Sequence, residues 1–168
     1  IRVTDEMCPY LKMTGEEVLE NAHKNTNKQE YRLETLEDVL DRMIPYNIEE
    51  PSEMEEKAYV LTNQKNAFGA ALITNPDVMD HAREVIGEDY YIAPSSIHET
   101  ILVPKSMVDD PKELEDIIKS VNKSAVRREE QLSDHAYYYN SQDKKIEMAV
   151  KPEQEKSEYQ RQSNDRDR

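Results

Sequence analysis

Residues 90–104 read Tyr-Tyr-Ile-Ala-Pro-Ser-Ser-Ile-His-Glu-Thr-Ile-Leu-Val-Pro, and this stretch constrains the fold more than any other. Two runs of apolar, β-branched and aromatic residues flank a short Pro-Ser-Ser break, which is the pattern of a hairpin made of two buried strands. The break also carries the densest cluster of chemically capable side chains in the chain: Ser95, Ser96, His98 and Glu99.

Elements on either side follow from local signals. Ile1-Arg2-Val3 reads as the end of a strand. Thr14 and Glu17 have capping-box spacing, with Val18, Leu19 and Ala22 recurring on one helical face, and Asn25-Thr26-Asn27 forms a turn-favouring end. Thr35 and Asp38 begin a second helix, striped by Leu36, Val39, Leu40, Met43 and Ile44 and closed by Pro45. The acidic stretch 47–57, with Pro51, reads as an exposed connection. Residues 58–63 and 68–74 then predict two strands around a Gln64-Lys65-Asn66 turn.

Asn75-Pro76 and Asp110-Pro111 each place a capping side chain before a proline at the first helical position. Val78, Met79, Ala82, Val85 and Ile86 stripe the first of these helices, and Gly87 supplies its left-handed stop. Leu114, Ile117, Ile118 and Val121 stripe the second. Tyr137-Tyr138-Tyr139 predicts a strand that pairs with residues 144–150 across Ser141-Gln142-Asp143. Short turns join the strands and helices separate the hairpins. The fold class is therefore α+β: a mainly antiparallel sheet of about five to six strands, built as hairpin–helix units repeated twice, with helices packed on it. Three regions are expected: 1–57 with a strand and two helices, a core over 58–150, and a disordered polar tail over 151–168.

The chain has 168 residues, 36% of them hydrophobic and 35% charged, with a formal net charge of −14. That length suits one domain with a real core. A field this acidic repels phosphate backbones and anionic lipid, so neither nucleic acid nor a membrane surface is an expected partner. Cys8 is the sole cysteine, which rules out an intrachain disulfide and a cysteine-based zinc cluster and fits a reducing, cytoplasmic setting. Cys8-Pro9 precedes no obvious helix and has no basic neighbour to activate the thiol.

Gly69-Ala70-Ala71, Tyr91-Ile92, Pro94-Ser95-Ser96-Ile97-His98-Glu99 and Ile101-Leu102-Val103-Pro104 together resemble the family catalogued as domain of unknown function 5688, carried by anaerobic gut Firmicutes. Val121-Asn122, Leu132-Ser133-Asp134 and the three tyrosines are similar to its following segment, and Thr14-Gly15-Glu16-Glu17, Ala22 and Asn25-Thr26 to the block ahead. Thr100 stands where that family usually has valine, and Ala136 where serine or valine is expected. The resemblance implies a bacterial cytoplasmic protein that is either a C-terminal portion of a longer architecture or a shortened relative, and it implies no activity.

A nucleophilic serine needs a base within hydrogen-bond reach and a third group to orient that base. On an extended Ser96–Glu99 segment, His98 shares a face with Ser96 while Glu99 points away, and no Gly-x-Ser-x-Gly elbow surrounds either serine. His23, His81, His98 and His135 are scattered and form no His-Glu-x-x-His pattern, so no metal is expected. With three glycines, far apart, the chain has no phosphate-binding loop and no cofactor is expected. Tyr137, Tyr138 and Tyr139 are candidate binding residues, on a strand suited to edge pairing with a protein partner or a second copy. The leading expectation is a non-enzymatic interaction or regulatory module acting through a sheet edge or the hairpin around His98. The alternative is a hydrolase-like or small-ligand site at Ser95, Ser96, His98 and Glu99.

Overall fold

The hairpin at 90–104 forms the middle of a six-stranded antiparallel sheet. A computed structural model of the chain describes residues 3–43 and 57–151. The expectations for Ile1 and Arg2, the Pro45 helix stop, the acidic connection up to residue 56 and the tail from residue 152 lie outside the described residues.

A 3-10 turn at Asp5–Met7 leads into the short helix α1 (Cys8–Leu11) and then α2 (Gly15–Thr26). Strand β1 (Tyr31–Thr35) and helix α3 (Leu36–Met43) follow, then β2 (Tyr59–Asn63), a 3-10 segment at Gly69–Thr74, and α4 (Pro76–Ile86). The hairpin β3 (Tyr90–Ala93) and β4 (Glu99–Pro104) precedes α5 (Pro111–Ser124), and β5 (Tyr137–Asn140) and β6 (Lys145–Met148) close the sheet. The strand order is β1-β2-β4-β3-β5-β6.

The capping signals are realised atom by atom. Thr14 and Glu17 exchange reciprocal hydrogen bonds, with the Glu17 amide donating to Thr14 Oγ1 at 3.2 Å and the Thr14 amide to Glu17 Oε2 at 2.7 Å. Asn75 Oδ1 accepts the Asp77 amide at 3.0 Å, and Asp110 Oδ1 accepts the Lys112 amide at 2.9 Å. Gly87 ends α4 at φ +89°, a conformation that a side chain would strain.

Alternation along β3 sorts the core into two layers. On one face Tyr90 and Ile92 pack with Leu61, Leu102 and Tyr139 beneath Leu72, Val78, Met79 and Ala82. On the other, Tyr91, Ala93 and Ala136 pack beneath Leu114 and Ile118 of α5. Each large apolar side chain removed from water in this way stabilises the fold by roughly 1.5–3 kcal/mol.

Four details differ from the sequence reading. Tyr31–Thr35 is a full strand, paired from Tyr31↔Asn63 to Thr35↔Tyr59. Residues 69–74 form a 3-10 turn rather than a strand. The cause is positional: β1 occupies one edge of β2 and β4 the other, which leaves no ladder for a third neighbour. The segment folds over the sheet face instead and buries Ala70 and Leu72. Cys8 begins a helix, with Pro9 in its first turn. Finally, the tyrosine strand is internal, because β3 pairs one side of it and β6 the other.

Candidate functional site at the His98 corner

The end of the hairpin is held by backbone from a distant loop. The amide of Ile97 donates to Glu130 O at 2.9 Å, Leu132 to Ser95 O at 3.2 Å and Ser133 to Pro94 O at 3.1 Å. This zipper brings Glu130 beside His98, with Glu130 Oε1 3.6 Å from His98 Nε2. On its other side the ring accepts the Phe68 amide at Nδ1, 3.2 Å away. An Nδ1 that accepts leaves the proton on Nε2, pointing at the Glu130 carboxylate.

The serines serve the backbone of the turn. Ser96 Oγ accepts the amide of His98 itself at 3.0 Å, and Ser95 contributes its carbonyl to the zipper. Glu99 is exposed and lines a groove of about 410 Å³ with Arg32, Glu34, Arg42 and Thr62. In that groove Arg42 holds Glu34 through two parallel hydrogen bonds of 2.8 Å. The structure therefore brings His98 together with Phe68 and Glu130, and sets Glu99 in a different environment.

Phe68 is the residue that period and composition did not single out. The residue is 59% exposed, yet its backbone sits in the left-handed region at φ +58° and ψ +26°. That conformation costs an L-residue with a bulky side chain about 1–2 kcal/mol. The ring lies 5.5 Å from the His98 ring, tilted by 48°. It also borders a recess of about 410 Å³ lined by Lys28, Gln29, Glu30, Asn63, Gln64, Lys65 and Ala67.

The loop that presents Phe68 is built around one buried side chain. Asn63 Oδ1 accepts the amides of Lys65 and Ala67 at 3.1 and 3.2 Å, while Nδ2 donates to Ala67 O at 2.7 Å and Gln29 Oε1 at 2.9 Å. Gly69 then lies against the hairpin, its amide donating to His98 O at 2.9 Å. A Cβ there would stand 2.6 Å from His98 O, 2.6 Å from Thr62 Oγ1 and 2.7 Å from Asn63 N. The signal available in the sequence was Phe68-Gly69 after the Gln64-Lys65-Asn66 turn, which reads as the start of a strand.

Tyr137, Tyr138 and Tyr139 lie elsewhere. Tyr139 stacks on Tyr90 at 5.2 Å and donates to Asp80 Oδ1 at 2.7 Å. Tyr138 packs on Tyr91 on the opposite face and donates to Asp89 Oδ2 at 2.9 Å. Tyr137 reaches Ser133 Oγ at 3.2 Å. Burial first, and these hydrogen bonds to carboxylates second, push the phenols of Tyr138 and Tyr139 up to about 12. Asp80 is held below the usual carboxylate range by its hydrogen bonds from Lys144 and Tyr139.

Among the described residues no group of three or more His, Cys, Asp or Glu is arranged to hold a metal ion, and no helix is long and apolar enough to cross a membrane. The model of a family described as "Family of unknown function (DUF5688)" matches residues 1–141. No curated protein and no solved structure matches the chain.

Proposed function

The chain belongs to the family of unknown function DUF5688, and from that premise we propose that it is a non-enzymatic, cytoplasmic protein-interaction module whose contact point is the corner made by Phe68, His98 and Glu130. Its partner is a protein segment bearing an apolar side chain, which lies against the Phe68 ring and enters the adjoining recess. Lys28, Lys65 and Gln64 at the rim supply polar contacts.

One observation carries this reading: a large aromatic ring is held in solvent by a backbone conformation that is unfavourable for it. Backbone strain that the surrounding structure enforces is concentrated at functional positions, and exposed aromatic anchors dominate binding energies at protein interfaces. The recess beside it is of the size that accepts a side chain or a small group.

The hydrolase-like alternative has weaker support. The lone pair of His98 that would take a serine proton already accepts the Phe68 amide, and the Ser96 hydroxyl faces a backbone amide.

The test is comparative capture from native lysate of the source organism with the wild-type chain and with Phe68→Gly, quantified by mass spectrometry. A protein retained by the wild type and lost by the variant, at unchanged circular dichroism, is the expected result. Equal recovery by both chains, or nothing specific with either, overturns the reading.

A further inference from the structure

The open side of β6 is a second surface with its own logic, independent of the His98 corner. All four of its residues are exposed, and among the described residues β5 is its only neighbour. The Ala149 amide donates to Ala136 O at 2.9 Å, and the ladder continues through Met148↔Tyr137, Glu147↔Tyr138, Ile146↔Tyr139 and Lys145↔Asn140. In an antiparallel pair, successive residues point their amides alternately toward and away from the partner. Ala149, Glu147 and Lys145 therefore turn their backbone groups toward β5, whereas Ile146 and Met148 turn theirs outward.

Outward amides at Ile146 and Met148 leave few ways for this strand to pair with a copy of itself. Centring a twofold axis on Glu147 sets Glu147 against Glu147. Centring it on Lys145 sets lysine against lysine and Glu147 against Asp143. Centring it on Met148 sets Lys145 against Lys151. Only an axis at Ile146 places Lys145 opposite Glu147 of the second copy, twice, with the two Ile146 residues facing each other and exchanging both hydrogen bonds. Ile146 and Met148, 36% and 37% exposed on the face shared with Tyr139 and Tyr137, add an apolar contact on that side. Among the described residues neither Lys145 nor Glu147 has an ion-pair partner within its own chain.

We infer that the β6 edge pairs with a second copy of this chain about a twofold axis at Ile146, joining two six-stranded sheets, with the register fixed by reciprocal Lys145–Glu147 contacts. Such pairing is isologous and closed, so it ends at a dimer. Its ladder is short and joins two chains of net charge −14, so the association is concentration-dependent.

Sedimentation equilibrium of the full chain over a concentration series tests this, using the wild type, Lys145→Glu, Glu147→Lys and the double exchange. The wild type is expected to dimerise at the upper concentrations. Each single reversal weakens the dimer by about tenfold or more, since two attractive cross-strand pairs become repulsive. Glu147→Lys does so although it lowers the net charge that drives the copies apart. The double exchange recovers wild-type association within about threefold, because the opposite-charge pairs are restored in reverse. A wild type that stays monomeric throughout, single variants that dimerise like the wild type, or a double exchange that stays as weak as the singles each overturn the proposal. Circular dichroism on all four chains guards against loss of fold.

Discussion

Phe68 donates its backbone amide to Nδ1 of His98 at 3.2 Å while its ring rests 5.5 Å from the same imidazole. A single residue thus fixes the tautomer of the histidine and covers one of its faces. The left-handed backbone at Phe68 is what lets amide and ring approach the same partner.

Phe68→Gly removes that strain without disturbing the amide. Glycine adopts the left-handed region freely, although it adds entropy to the unfolded chain, and the ring it deletes was mostly in solvent. The expected outcome is an unfolding free energy that is unchanged or raised by up to about 1 kcal/mol. Urea denaturation checks it, and a fall of more than about 1 kcal/mol would show that the ring holds the fold together.

Gly69→Ala acts in the opposite direction. Its new Cβ meets two backbone atoms and a hydroxyl, all under 3 Å from the ideal position. The 3-10 segment must move away from the hairpin end, at an expected cost of about 2–3 kcal/mol. Asn63→Ala is of similar size, about 2–3 kcal/mol, because it leaves the amides of Lys65 and Ala67 without their side-chain acceptor. Both changes are read from the same denaturation curves. Asn63→Ala should in addition speed amide exchange across residues 64–68.

Thr100→Val is a stabilising change. Thr100 is fully buried against the centre of β2, opposite Leu61, and its hydroxyl has no hydrogen-bond partner among the described residues. Valine keeps the shape and removes the unsatisfied group, so unfolding should become harder by about 1–2 kcal/mol. A midpoint that moves to lower denaturant would mean that the hydroxyl is satisfied.

Alkaline pH should unfold the protein through its tyrosines. Below pH 10 the phenols are neutral in folded and unfolded chains alike, and their contribution to stability is fully present. Between pH 10.0 and about 12 the unfolded chain ionises while Tyr138 and Tyr139 do not, so stability falls as pH rises. Tyr90, more deeply buried, is pushed up further still. Tyrosinate absorbance should show a late phase, in which Tyr138 and Tyr139 ionise together with loss of circular dichroism. A single smooth titration with the fold intact would contradict the packing of these rings.

Much of this architecture is legible in residue order because local signals decide it. Asn75-Pro76, Asp110-Pro111 and the Thr14–Glu17 box fix helix starts within a few residues, and no distant contact competes with them. Period-two spacing also places Tyr138 on one face and Tyr137 and Tyr139 on the other. What order alone conceals is neighbourhood. Residues 68–74 have strand composition, and only the presence of β1 beside β2 denies them a ladder. Glu130 reaches His98 through a backbone zipper between segments over thirty residues apart, which no spacing rule encodes. The adjacent Glu99, already turned away from His98 by the period-two reading, lines the groove with Arg32, Glu34 and Arg42 instead.

The order of the strands has a consequence for how the sheet is laid down. Its innermost pair, β4 and β3, comes from the middle of the sequence, β2 and β5 flank that pair, and β1 and β6 are outermost. Accretion can thus proceed outward like rings in timber: every later strand lies down on an exposed border, and none must be threaded between two that are already joined. The inner pair closes only the short Pro94–His98 loop, so its entropic penalty is small. Stripping an outer ring narrows the board without splitting it, so damage near either border stays local while damage at the pith fells the whole structure.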